Sequence, residues 1–205
     1  MDWGSPLGIV IVVFAVIFIV GCIIVGVDIF IWRNTKVIRA ASPLFCMNIL
    51  VGGVLGLASA LMFVGKPTDA VCQLRVWMSG VAFAFVYSNL LAKNYRLYRI
   101  FKNDSLRVFA ISNRDLILRG VTPILLIELI ILILWSSLDP LSAIQDTDSV
   151  LLKEDERNIK CASNSSWGIG LFLAYKLVLL LLGVIISYNT RDLVEYFKES
   201  QGIGF

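Results

Sequence analysis

Ala92-Lys93-Asn94-Tyr95-Arg96-Leu97-Tyr98-Arg99-Ile100-Phe101 closes the third of five apolar runs in a chain of 205 residues. It is a basic cluster at the end of a long uncharged segment, the pattern of a helix leaving a membrane on its positively charged side. Roughly 20 apolar residues cross a bilayer as a helix. Leu7 to Trp32, Ser42 to Val64, Val71 to Leu91, Val121 to Leu138 and Trp167 to Tyr188 fall in that range, interrupted by Asp28, Arg75, Glu128 and Lys176. With their flanks the spans run over about 7–32, 42–64, 71–95, 118–138 and 167–188. Lipid offers backbone N–H and C=O groups no water, so each span must be a helix that satisfies them internally. A membrane barrel is excluded, because none of the runs alternates apolar with polar residues. The expected fold is all-α, a polytopic transmembrane helix bundle.

Composition points the same way: 58% of residues are hydrophobic and 16% charged, the reverse of a soluble domain's balance. The first run is not a cleaved signal peptide. It exceeds the 7–15 residues of a signal core, and its amino flank carries Asp2 in place of positive charge. Few residues precede it, and no linker, low-complexity tract or internal repeat follows. The expectation is therefore one membrane domain over 1–205, without an extracellular ligand-binding domain.

Orientation follows from the distribution of Lys and Arg. With the amino terminus outside, twelve of the 18 lie on the inner side: Arg33, Lys36, Arg39, Lys93, Arg96, Arg99, Lys102, Arg107, Arg114, Arg119, Arg191 and Lys198. Lys66, Lys153, Arg157 and Lys160 lie outside. The positive-inside rule favours that arrangement, and the plasma membrane is the expected location. Asn164-Ser165-Ser166 then lies outside as a glycosylation acceptor. Asn103-Asp104-Ser105 has the same pattern but lies inside.

Topology also sorts the four cysteines. Cys22 and Cys46 sit within or near the first two spans as small apolar residues. Cys72 begins the third span and Cys161 precedes the fifth, both on the oxidising side, where they can pair or stay as two thiols. A bond between them closes a loop of about 90 residues, worth about 4–5 kcal/mol in the chain-entropy account. The long second outer loop, Asp139 to Ser166, is acidic, and Val150 to Lys160 can form a short β-hairpin.

Chemistry is narrowed by what is missing. There is no histidine, which removes Ser-His hydrolysis, zinc hydrolysis by His ligands and imidazole haem ligation. No phosphate-binding Gly-rich loop occurs, and Asp28 has no second aspartate for an intramembrane aspartyl protease. An enzyme is not expected, nor are a cofactor, a metal or a nucleic-acid partner.

Several ordered motifs resemble the heptahelical domain of class C G protein-coupled receptors and, within it, the metabotropic GABA-B type. They are Ala41-Ser42-Pro43, Cys72 with Arg75 and Trp77, Tyr87-Ser88, and Leu90-Leu91-Ala92-Lys93 through Arg99-Ile100-Phe101. Trp135 with Asp139-Pro140-Leu141, Ala174-Tyr175-Lys176, Thr190-Arg191-Asp192 and Ile203-Gly204-Phe205 continue the series. The chain departs from that family in two ways: it has no clam-like extracellular domain, and it stops where a sixth helix would begin. It is read as a truncated or fragmentary receptor domain carrying five of seven helices, with a true five-helix product as the alternative.

The resemblance assigns roles. Lys93 matches the lysine, and Glu199 the acid, of an ionic lock that holds the family's inactive state; Lys93 can instead snorkel to the headgroups. Arg96, Arg99, Lys102 and Arg107 are candidate contacts for a heterotrimeric G protein, although a positive inner loop also fixes topology and attracts anionic lipid. Receptor homo- or heterodimers and membrane lipid are further expected partners.

Charges inside the membrane are costly, face the bundle interior and usually pair or mark a functional path. At ~1.5 Å per residue, Lys176 lies roughly 14 Å below the outer start of its span and Glu128 roughly 10 Å above the inner start of its own. Their depths allow a structural ion pair; contact with further helices or a proton path are the alternatives. Asp28, near the inner end of the first span, reaches the interface or a helix partner. Ser112 to Asp115 has capping-box spacing, which starts the fourth helix on the inner side. Gly52, Gly56, Ala58, Ser59 and Ala60 give the second helix a small face for close packing. The function that follows is a GABA-B-like receptor transmitting a signal by helix rearrangement. A non-signalling partner of a full-length receptor and a small transporter or channel are the alternatives, but the paired discontinuous helices or repeats of transporters are missing.

Overall fold

The computed structural model describes residues 6–40, 42–65, 68–101, 112–145, 159–163 and 165–202. Its order is α1 (Pro6–Ile31), α2 (Lys36–Ala40), α3 (Pro43–Leu61) and α4 (Asp69–Phe101). Then come α5 (Asn113–Leu116), a π-helical turn (Ile117–Val121), α6 (Thr122–Leu138), β1 (Ser142–Gln145), β2 (Ile159–Ala162) and α7 (Trp167–Gly202). Among the described residues, five helical segments are long and apolar enough to cross a membrane: Pro6–Ile31, Pro43–Leu61, Asp69–Arg96, Asn113–Leu138 and Trp167–Thr190. The third helix outruns the expected 71–95 at both ends. The fourth begins at Asn113, earlier than 118, because Ser112 caps it: its Oγ accepts a hydrogen bond from the N–H of Arg114 at 3.3 Å.

Apart from Asp28 near its end, α1 is apolar on every face, and of its residues only Gly8 and Ala15 are buried. Ile17, Phe18, Phe30 and many other large apolar side chains stand exposed, which is stable against lipid and unstable against water. α4 is the hub, packing on α3, α6, α7 and β1. Its seam with α3 is close because Gly52 has no side chain; a Cβ there would lie 2.6 Å from Val86 Cγ2. A polar bridge crosses the middle of that seam: Asn48 Nδ2 donates to Asn89 Oδ1 at 3.0 Å, and Asn89 Nδ2 donates to the Phe85 carbonyl at 2.7 Å. Buried amides find each other in lipid because they have no water to turn to.

In the fourth span, Pro123 lacks an N–H and its ring crowds the carbonyl four residues back. The π-helical turn sits just before it, and Thr122 Oγ1 donates to the Ile117 carbonyl at 3.0 Å. That carbonyl also accepts the Thr122 backbone N–H, so the hydroxyl adds a second bond at the irregular turn. At the end of the bundle that carries the basic cluster, Phe45, Ala92, Leu116 and Val121 form a buried apolar cluster that locks α3, α4 and the fourth span together. Ser42 enters α3 with φ 58°, a left-handed conformation unusual for a residue other than glycine. Arg96 holds it, donating to Ser42 Oγ at 3.0 Å and to Asn113 Oδ1 at 2.8 Å.

The loop between the fourth and fifth spans carries the expected short antiparallel pair of strands. The paired strands lie at the two roots of the loop, where Ser142 faces Ala162 and Gln145 faces Ile159 in antiparallel register. Of the expected range Val150 to Lys160, Ile159 and Lys160 belong to β2, and residues 146–158 lie outside the described residues. The roots pair because both are anchored to helices. Cys161 is disulfide-bonded to Cys72 with Cα atoms 5.6 Å apart, and the Ala143 N–H donates to Asp69 Oδ1 at 2.6 Å. Arg75 adds to the clamp, donating to the Met62 carbonyl at 2.7 Å and stacking its guanidinium 5.0 Å from the Phe63 ring centroid.

Candidate functional site

The densest polar feature of the membrane-spanning region joins three helices. Gly80 on α4 has no side chain, and a Cβ there would lie 2.6 Å from Glu128 Oε1 and 3.0 Å from Phe172 Cε2. That space admits Glu128 from α6 and Lys176 from α7, whose Nζ reaches Glu128 Oε1 at 2.5 Å and the Gly80 carbonyl at 3.2 Å. Glu128 is fully buried and Lys176 is 9% exposed. The ammonium also lies 4.6 Å from the Phe172 centroid, 4.9 Å from Phe83 and 5.8 Å from Tyr175. Ring faces attract a desolvated cation, so the charge is held by a carboxylate, a carbonyl and aromatic faces in place of water. Tyr175 is itself fixed, donating to the Ile124 carbonyl at 2.7 Å.

Above the pair, Trp135 packs against Phe172 with centroids 5.7 Å apart, and Gly168 leaves room for its indole. Trp77 Nε1 donates to Ser136 Oγ at 2.7 Å, and Gln73 also hydrogen-bonds that hydroxyl. Glu128 Oε2 and Trp135 Nε1 have no hydrogen-bond partner among the described residues. The arrangement can hold charge and tie three helices; among the described residues no group of three metal-ligating side chains occurs.

The other sequence-derived candidates are distributed as follows. Lys93 Nζ lies 3.7 Å from Cys46 Sγ. Glu199 lies in the helical segment of α7, with its side chain outside the described residues. Arg96 is engaged with Ser42 and Asn113, while Arg99 is exposed, its guanidinium 6.0 Å from the Tyr95 ring centroid. Lys102, Arg107 and Asn164 lie outside the described residues. Asp28 is exposed, with no side-chain partner among the described residues. Sequence reasoning missed Gly80 and the Asn48–Asn89 bridge. The bridge had a signal, one amide in each of two adjacent apolar spans; Gly80 had none, because its role is the space it leaves.

Comparison with known proteins covers the whole chain. Residues 1–205 match the family described as the 7 transmembrane sweet-taste receptor of 3 GCPR. Metabotropic glutamate receptor-like protein F of Dictyostelium discoideum is 33% identical over 99% of this chain and 27% of its own length. Proteins E and A of the same series are each 30% identical, over 88% and 99% of this chain. The chain spans 22% of the length of protein E and 26% of protein A.

Proposed function

The chain belongs to the seven-transmembrane family of class C G protein-coupled receptors, and on that premise we propose that it is the signal-transmitting membrane segment of such a receptor. The observation that carries the reading is the Glu128–Lys176 pair on the Gly80 carbonyl, which ties α4, α6 and α7 at one buried point. A signal crosses a bundle when two helix arrangements satisfy such contacts unequally. The proposed orientation has the amino terminus outside at the plasma membrane, with the basic ends of α4 and the fourth span facing the G protein. There Arg96, Arg99, Lys102 and Arg107 offer cations to it. GABA-B-like character rests on the motifs quoted above, and membership of a longer receptor on the length of the relatives. A dimer is the proposed working form.

Lys93 and Glu199 form the proposed inner lock, with the lysine already half-buried at the inner end of α4. The test is nucleotide exchange on heterotrimeric G proteins in membranes bearing the full-length receptor. Lys93→Glu is expected to raise basal exchange several-fold, and Lys93→Glu with Glu199→Lys to restore it. A single variant without effect sinks the lock. Failure of the unmodified receptor to stimulate any G protein class sinks the coupling reading itself.

A further inference from the structure

A second feature lies at the inner end of the bundle, apart from the buried pair. A cavity of about 460 Å³ opens between α4, the fourth span and α7, a volume within the ~300–1,000 Å³ of small-ligand sites. Its walls include Leu91, Ile124 and Ile186, and its polar lining includes Arg99, Arg119 and Asp115. All three charged side chains are exposed, and neither arginine meets an acid among the described residues. The π-helical turn contributes Arg119 and Gly120 to the lining.

The level of this site matters. Arg119 is six residues into the fourth span, roughly 9 Å along its axis from Asn113, so the charges stand where an apolar interior gives way to headgroups. A soluble anion would leave the apolar walls unused, and a zwitterionic lipid, whose phosphate is offset by its own ammonium, would leave the net positive charge of two arginines and one aspartate uncompensated. We propose that this cavity binds an anionic phospholipid of the adjoining leaflet, its phosphate on Arg99 and Arg119 and an acyl chain along Leu91, Ile124 and Ile186. Asp115 adds selectivity, because its carboxylate accepts hydrogen bonds and favours a headgroup that carries a donor. Phosphatidylserine fits charge for charge: phosphate and carboxylate on two guanidiniums, ammonium on Asp115. The inference rests on the membrane-spanning fold and does not require G protein coupling.

The test is native mass spectrometry of the purified full-length protein titrated with dioleoyl phosphatidylserine, phosphatidylglycerol and phosphatidylcholine. Phosphatidylserine is expected to bind tightest. Arg99→Gln and Arg119→Gln should each weaken it about five-fold, the scale of one basic residue at an anionic surface, with phosphatidylcholine unchanged. Asp115→Asn should erase the preference for phosphatidylserine over phosphatidylglycerol, which keeps the proposal testable if either arginine variant fails to fold. Arg33→Gln or Arg39→Gln, each taken singly, removes the same charge from the first loop. If that control weakens binding equally, or if soluble glycerophosphoserine competes as well as the lipid, the site is diffuse charge or a soluble-anion site and the proposal is overturned. Equal binding of phosphatidylserine and phosphatidylcholine overturns it as well.

Discussion

Glu128 and Lys176 are the residues on which the interior of this bundle depends. Removing one partner of a buried ion pair costs about 3–5 kcal/mol, whereas replacing both by apolar groups of similar volume is often neutral or stabilising. Glu128→Leu is therefore expected to destabilise the protein by about that amount, since Lys176 would keep only the Gly80 carbonyl and its rings. Glu128→Leu with Lys176→Met should recover most of the loss, as read from thermal unfolding in detergent. Failure of the double variant to recover would mean that the pair is not the unit. The sequence made this pair legible, because charges are scarce in lipid and must find partners at matching depth. Gly80 was not legible: a glycine that leaves 2.6 Å between a would-be Cβ and Glu128 Oε1 looks in sequence like any small residue in a span.

Among the elements, the α3–α4 seam sets how close two spans can come. At Gly52 a Cβ would meet Val86 Cγ2 at 2.6 Å, Phe85 Cδ1 at 3.1 Å and the Val86 backbone nitrogen at 3.3 Å; at Gly53 nothing lies within 4 Å. Overpacking a tight interface costs about 1–3 kcal/mol. Gly52→Ala should lower the unfolding temperature, while the same change at Gly53 should leave it unchanged or slightly raised, since alanine favours helix. Equal effects at the two sites would show that the seam has room to relax. The small face of α3 was readable from Gly52 and Gly56, because small residues at helical spacing have one consequence in lipid. The π-helical turn at Ile117–Val121 was not, since Pro123 announces a perturbed helix without saying whether it kinks, breaks or gains a residue.

Across the whole molecule, the disulfide, the two-stranded sheet and Arg75 gather at one end, and the basic ends of α4 and the fourth span at the other. Asn164 is three residues beyond Cys161, so in the proposed orientation it faces the compartment where sugar is added. Native protein is expected to shift in mobility on deglycosylation, and Asn164→Gln to abolish the shift. Sugar on Asn103 would reverse the orientation and with it the proposed face for the G protein.

The sequence alone determined that five helices span the membrane, that both mid-span charges need partners, and that Cys72 and Cys161 share a side. Hydropathy and charge are properties of each residue and survive without knowledge of its neighbours. Only the tertiary structure decided that Lys176 meets the Gly80 carbonyl and aromatic rings as well as Glu128, and that Lys93 lies against Cys46. It also decided that the two-stranded sheet forms at the roots of its loop and that Arg99 and Arg119 share one cavity. Those outcomes depend on how each helix is rotated and tilted against the next. Packing between helices sets rotation and tilt, and no single span's sequence encodes them.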